Sequence, residues 1–161
     1  VEFLCSSLVG LVELVFTVVG MALIDKAGRK PLLVSSAAGM GVFAAIMAFA
    51  FYANIGWLVV AGACGFIACF AFGLGPVTWV MIPELFPTYM RGRASGLCTV
   101  LLWGINFCVG QFTPMMFQGW GGTGTFVFWM VMDFIGAISI AKFAPETKGK
   151  TLEEIQALWT K

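Results

Sequence analysis

The chain of 161 residues contains no histidine, and only 11% of it is charged. The first absence excludes histidine-based metal sites and catalytic triads. The second leaves less than half of the roughly one-quarter charged fraction of an average soluble domain, too little polar surface to cover a folded globule in water. A basic surplus is missing too: nine Lys and Arg against eight Asp and Glu give a net charge of +1. Phosphate recognition needs such a surplus, so no nucleic-acid partner is expected. The five cysteines, Cys5, Cys64, Cys69, Cys98 and Cys108, form no Cys-x-x-Cys pair, and as small apolar packing residues they need no metal or redox role. These gaps set aside a soluble enzyme, and neither a metal nor a cofactor is expected.

Apolar residues are what the chain has in excess. They make up 60% of it, with a mean hydropathy of +0.97, and fall in five blocks, 3–24, 31–51, 57–82, 95–118 and 125–143. Each block is long enough for a bilayer core, which needs about 20 apolar residues per helix. The blocks are rich in Gly, Ala and Ser and show no strict apolar–polar alternation, which argues against barrel strands. The expected fold is an all-α integral membrane bundle of five transmembrane helices, followed by a tail over 144–161.

Charge placement gives the orientation. Every positive charge (Lys26, Arg29, Lys30, Arg91, Arg93, Lys142, Lys148, Lys150 and Lys161) lies in the joins 25–30 and 84–93 or around the end of the last span and the tail. The opposite joins, 52–56 and 119–124, hold none. The positive-inside rule therefore places the charged joins and the C-terminus in the cytoplasm, with the protein multi-pass in the cell membrane. There is no starting Met, and the first residues run straight into a span. Five spans put Val1 on the outer side without a signal-like leader, so the chain is expected to be the end of a longer protein.

The irregular residues inside the blocks point to a site. The third block carries Gly73, Gly75, Pro76 and Trp79, with Pro83 just after its end. Pro76 and Pro83 lack an N–H and would free the carbonyls of Phe72 and Trp79, costly in hydrocarbon unless protein or a water-lined cavity satisfies them. A packing kink is one explanation; Trp79, one turn beyond the break, favours a cavity-lining site at Gly75 and Pro76. In the fourth block Trp103, Asn106 and Gly110 share a helical face, with Gln111 and Thr113 adding polarity. An amide in a span can simply hold helices together. Beside an indole it also suits a sugar, whose C–H faces stack while its hydroxyls hydrogen-bond. Two acids lie mid-span. An ionised carboxylate there costs about 2.5–3.5 kcal/mol or more, so Glu13 is either a substrate or proton ligand or a protonated carboxyl bonded to a neighbouring helix. Asp133, with no kink or other polar residue near it, is expected to be structural.

The join 25–30 is a tight turn, and the join 84–93 sets Glu84 at one helix end and Arg91 and Arg93 near the next. Solvated loops carry similar charge, but the short, ordered spacing favours ion pairs between helix ends that act as a conformational latch. In the tail, Thr151-Leu152-Glu153-Glu154 has the form of a capping box, and Leu152, Ile155 and Trp159 mark one face of a short amphipathic helix.

Four of these motifs occur in one order and spacing: Asp25-Lys26-Ala27-Gly28-Arg29-Lys30, Gly75-Pro76-x-x-Trp79, Pro83-Glu84-Leu85-Phe86-Pro87 with Arg91-Gly92-Arg93, and Pro145-Glu146-Thr147-Lys148-Gly149. Together they resemble the sugar porter family of the major facilitator superfamily over nearly the whole chain. The resemblance implies the eighth to twelfth of twelve spans, with a missing N-terminal half as partner, and transport of a monosaccharide or polyol by alternating access. It implies that Trp79 is the sugar-stacking tryptophan and Trp103 the second cavity tryptophan. It further implies that Asp25, Arg29, Glu84, Arg91 and Glu146 belong to a cytoplasmic salt-bridge network. The sequence departs from the family pattern at Leu102, where an amide often precedes the second tryptophan, at Ala71, acidic in some relatives, and at Glu13, usually Asn or Gln. These departures leave glucose, a pentose and a polyol open, and a co-transported proton is compatible with all three. Two rival readings are another facilitator such as a drug exporter, which has no reason to keep residues 145–149 or Trp79, and a five-helix membrane scaffold.

Overall fold

The computed structural model describes residues 2–150 and 154, with side chains from residue 6 onward. The side chain of Cys5 and, apart from Glu154, the tail segment expected to form the amphipathic helix lie outside the described residues. All regular structure described is helical: α1 (Glu2–Ala27), α2 (Arg29–Tyr52), α3 (Gly56–Phe72), α4 (Leu74–Glu84) and α5 (Arg91–Phe143). In hydrocarbon a helix satisfies its own backbone polar groups, which is why apolar sequence of this length takes that form. Four stretches, with α3 and α4 counted as one, are long and apolar enough to cross a membrane.

The 53-residue α5 is not one rod. Gly121, at φ 68° and ψ 179°, leaves helical geometry inside it. Phe117 and Phe126, on either side of that glycine, have ring centroids 6.2 Å apart, whereas nine residues of straight helix would separate their backbones by about 13.5 Å. The chain therefore reverses at Gly121, giving two limbs, 91–120 and 122–143.

The central element is α2. Its buried residues, among them Leu33, Ala37, Met40, Gly41, Ala44, Met47 and Ala48, recur at helical spacing and are mostly small, so neighbouring backbones approach closely. On one flank α3 runs antiparallel to it: Gly39 meets Cys69, Phe43 meets Gly65 and Met47 meets Gly62. On the other flank the 122–143 limb runs antiparallel, with Phe51 stacked on Phe126 at 5.5 Å and Gly41 under the ring of Phe134. α1 packs chiefly on α3. An apolar cluster of Ile24, Leu32, Leu33, Val77 and Met81, joined by Ile140 and Ala144, closes the end of the bundle that carries the charged joins. Aromatic rings of Phe51, Phe117 and Phe126 close the other.

Candidate functional site

The interruption between α3 and α4 falls at Gly73, not at Gly75 and Pro76 as the sequence suggested. Gly73 is at once the last cap of α3 and the first cap of α4, at φ −131° and ψ −72°. A Cβ there would lie 2.5 Å from the Leu32 carbonyl oxygen and 2.5 Å from the Ser36 Cβ on α2, so glycine is required by close approach. Gly75 and Pro76 are the second and third residues of α4, where a backbone N–H has no intrahelical acceptor and its absence costs nothing. The helical ladder resumes with Val77 N–H donating to the Gly73 carbonyl at 3.0 Å.

Beyond the break, α4 and the 91–120 limb of α5 enclose a cavity of about 470 Å³. Gly75, Thr78 and Trp79 line it from α4, and Trp103 and Asn106 line it from α5. The tryptophans are 48% and 57% exposed, so both rings are open to a ligand. Leu102 contributes an apolar wall where an amide was the family expectation, and Phe70 and Met40 complete the floor. The Thr78 hydroxyl donates to the Leu74 carbonyl at 2.6 Å, leaving its oxygen to accept. Two indole rings, one amide and one hydroxyl acceptor in an otherwise apolar wall suit a small ligand with hydroxyls around an apolar ring face. Two larger cavities, about 630 Å³ and 550 Å³, are almost wholly apolar and lack this combination.

Glu13 is not brought to the site. It is exposed on α1 and is not among the residues lining this cavity. Asp133 lies on the 122–143 limb, and its buried Oδ2 has no hydrogen-bond partner among the described residues, so the bonding partner expected of a structural carboxyl is not seen.

At the charged end four of the five expected network members converge. Arg29 Nη2 donates to Glu84 Oε1 at 3.0 Å, the two side chains being 15% and 29% exposed. Arg29 Nη1 stands 3.6 Å from Asp25 Oδ1, a wet pair worth little by itself. The second oxygen of Glu84 accepts from the buried Thr147 hydroxyl at 2.7 Å. Among the described residues Glu146 forms no ion pair. Its carboxylate sits on the N-terminus of α2 and accepts the backbone N–H groups of Arg29 at 3.0 Å, Lys30 at 3.1 Å and Lys148 at 2.9 Å. The first two are donors that the start of α2 leaves unsatisfied, at the positive end of its dipole, and the third belongs to a local turn of the tail. Burial pushes the Glu146 carboxyl up, but the N–H groups of Lys148, Arg29, Lys30 and Thr147 outweigh it and hold the group below its ordinary value. Gly28 makes the arrangement possible: its φ is +93°, and a Cβ would meet Glu146 Oε2 at 2.9 Å. Arg91 stands outside the network. Its Nε reaches the Phe86 carbonyl at 3.5 Å, and it pairs with none of Asp25, Glu84 or Glu146, because the loop after α4 keeps it beside its own turn.

The sequence did not reveal three participants. Ser36 and Thr147 are buried polar residues engaged across elements, and Thr78 lines the cavity. The only available signals were a Ser-Ser pair in an apolar block and the central Thr of a motif already noted.

Comparison with known proteins follows this geometry closely. The family model described as "Sugar (and other) transporter" matches residues 1–159. The chain is 41% identical over 161 residues to an arabinose-proton symporter of Bacillus subtilis, covering 99% of this chain and 35% of that one. It is 37% identical over 166 residues to a D-xylose-proton symporter of Escherichia coli, covering 99% and 34%. Among solved structures, the xylose transporter XylE from E. coli in an inward-open conformation superposes with a TM-score of 0.90 at 38% identity, covering 98% of this chain and 36% of that one. XylE bound to 6-bromo-6-deoxy-D-glucose superposes equally well, at 35% identity, covering 98% and 34%. The chain thus spans about a third of the length of these relatives.

Proposed function

We propose a function from one premise: this chain belongs to the sugar (and other) transporter family of the major facilitator superfamily. It is the C-terminal portion of a membrane carrier for a monosaccharide or polyol, which operates by alternating access together with an N-terminal half. The cavity that brings Trp79 on α4 opposite Trp103 and Asn106 on α5 carries this reading. Its aromatic faces accept the C–H face of a sugar ring, and Asn106 and Thr78 meet the hydroxyls. A pentose is the first candidate and a proton the co-transported ion, because the relatives at 41% and 37% identity are named for arabinose, xylose and proton symport. The charged end then faces the cytoplasm, with the C-terminus on that side of the cell membrane. There Arg29, Glu84, Glu146 and Asp25 hold α1, α2, α4 and the tail together as a latch that opens during the cycle.

The test is uptake of labelled arabinose and xylose into proteoliposomes containing the intact carrier. Saturable uptake, competed by unlabelled sugar and stimulated by an inward-directed proton gradient, is the expected result. Absence of saturable uptake of pentoses, hexoses and polyols alike would overturn the reading. The 161 residues alone are expected to show no saturable uptake, since one half of an alternating-access site cannot close around a substrate.

A further inference from the structure

The break at Gly73 interrupts the helical hydrogen-bond ladder, and two of the groups it affects are the Cys69 carbonyl and the Leu74 N–H. In an unbroken helix the Gly73 N–H would serve the Cys69 carbonyl and the Leu74 N–H would serve the Phe70 carbonyl. Here the Gly73 N–H goes instead to Phe70, at 3.3 Å. That leaves the Cys69 carbonyl without a donor and the Leu74 N–H without an acceptor, both inside an apolar bundle. One side chain serves both of these groups. Ser36, on the neighbouring helix α2 and 1% exposed, donates its hydroxyl hydrogen to the Cys69 carbonyl at 2.7 Å and accepts the Leu74 N–H at 3.0 Å.

We propose that Ser36 is the positioning residue of the sugar site, a hydroxyl pin that fixes where α4 starts and so where Trp79 stands relative to Trp103 and Asn106. Trp79 is five residues beyond Leu74 on a helix whose other end, Glu84, is tied to Arg29 on the same α2. Helix α2 therefore holds α4 at both ends, by a partly buried ion pair at one and by a buried hydroxyl at the other. When the ion pair opens, the Ser36 contact remains as the point about which α4 turns. The neighbouring Ser35 does none of this, since its hydroxyl is spent on the Leu32 carbonyl of its own helix at 3.1 Å.

This inference rests on the transporter reading, and its test uses the intact carrier, with labelled arabinose and xylose as probes. In Ser36→Ala both backbone groups lose their partner and α4 is free to shift. KM is expected to rise about fivefold or more, with kcat per folded carrier within twofold. Ser36→Thr keeps the hydroxyl and should return KM to within twofold of wild type. Ser36→Cys, whose thiol is a weaker donor, should fall between Thr and Ala, and Ser35→Ala should match wild type. A merely structural serine predicts lower amounts of carrier at unchanged KM. Wild-type KM in Ser36→Ala overturns the proposal. If that variant is not recovered in the membrane, equal KM for the Cys and Ser forms overturns it instead. Loss of all saturable uptake in the wild type would overturn the transporter reading and this inference with it, an outcome distinct from wild-type uptake with an indifferent Ser36.

Discussion

Replacing Glu146 by Ala tests the most specific contact at the charged end, because the side chain serves three backbone amides rather than one cation. Hydrogen bonds to a charged group contribute about 1.5–3 kcal/mol each when well sheltered, and a carboxylate at a helix start about 0.3–1 kcal/mol. Glu146 is only partly buried, so water replaces much of what is lost. A net cost of about 1–2 kcal/mol follows, or roughly 5- to 30-fold in the opening equilibrium. Hydrogen exchange reads it directly, since the amides of Arg29, Lys30 and Lys148 are the donors. In the intact protein at neutral pH these amides should exchange about 5- to 30-fold faster in Glu146→Ala, after correction for intrinsic rates. The folded carboxyl titrates below its ordinary value. Its stabilisation is therefore fully present above the unfolded value of about 4.3 and is lost as pH falls through the lower folded value. Variant and wild type should thus converge only as pH falls through that lowered folded value. Equal exchange of the three amides in both proteins at neutral pH would refute the argument.

Other outcomes follow from the same geometry. Trp79→Ala in the intact carrier should weaken sugar binding by about 1–3 kcal/mol, the range for a stacked aromatic, while Trp120→Ala, remote from the cavity, should leave equilibrium binding unchanged. Arg29→Ala should raise cysteine accessibility at the charged mouth severalfold, for a pair worth up to about 1 kcal/mol or somewhat more given its partial burial, whereas Arg91→Ala should not, because Arg91 pairs with none of the network carboxylates. Glu13→Gln should keep KM for labelled pentose within twofold of wild type, since Glu13 does not line the cavity; a larger change would return it to the site.

The helical character of the bundle was legible because hydrocarbon leaves the backbone few options and the apolar blocks are long. The charged end was legible in outline because short joins bring their charges together whatever the details. Its pairing was not: Arg91 and Glu146 look alike as ion-pair candidates, yet one reaches a loop carbonyl and the other a helix N-terminus. The difference depends on the path of the backbone at Gly28. The interruption of the third block was legible, but its location was not. Proline draws attention for the hydrogen bond it removes, and here Pro76 sits where no hydrogen bond was due, while the glycine that permits contact with α2 marks the actual break. Ser36 was invisible for a related reason. A serine among alanines and glycines reads as a small packing residue, and only the antiparallel register of α2 and α3 shows which carbonyl it faces.

The partnership of Glu146 with the start of α2 spans 117 residues of chain. At a ribosomal pace of about 5–20 residues per second, some six to twenty-odd seconds pass between synthesis of the first turn of α2 and arrival of the carboxylate that completes it. During that interval Arg29 and Lys30 present bare amides at the membrane edge, and α2 lacks its flank against the 122–143 limb. The start of α2 is therefore completed only after α3, α4 and α5 have been made. A nascent chain stopped short of residue 146 would leave the first amides of α2 without their carboxylate.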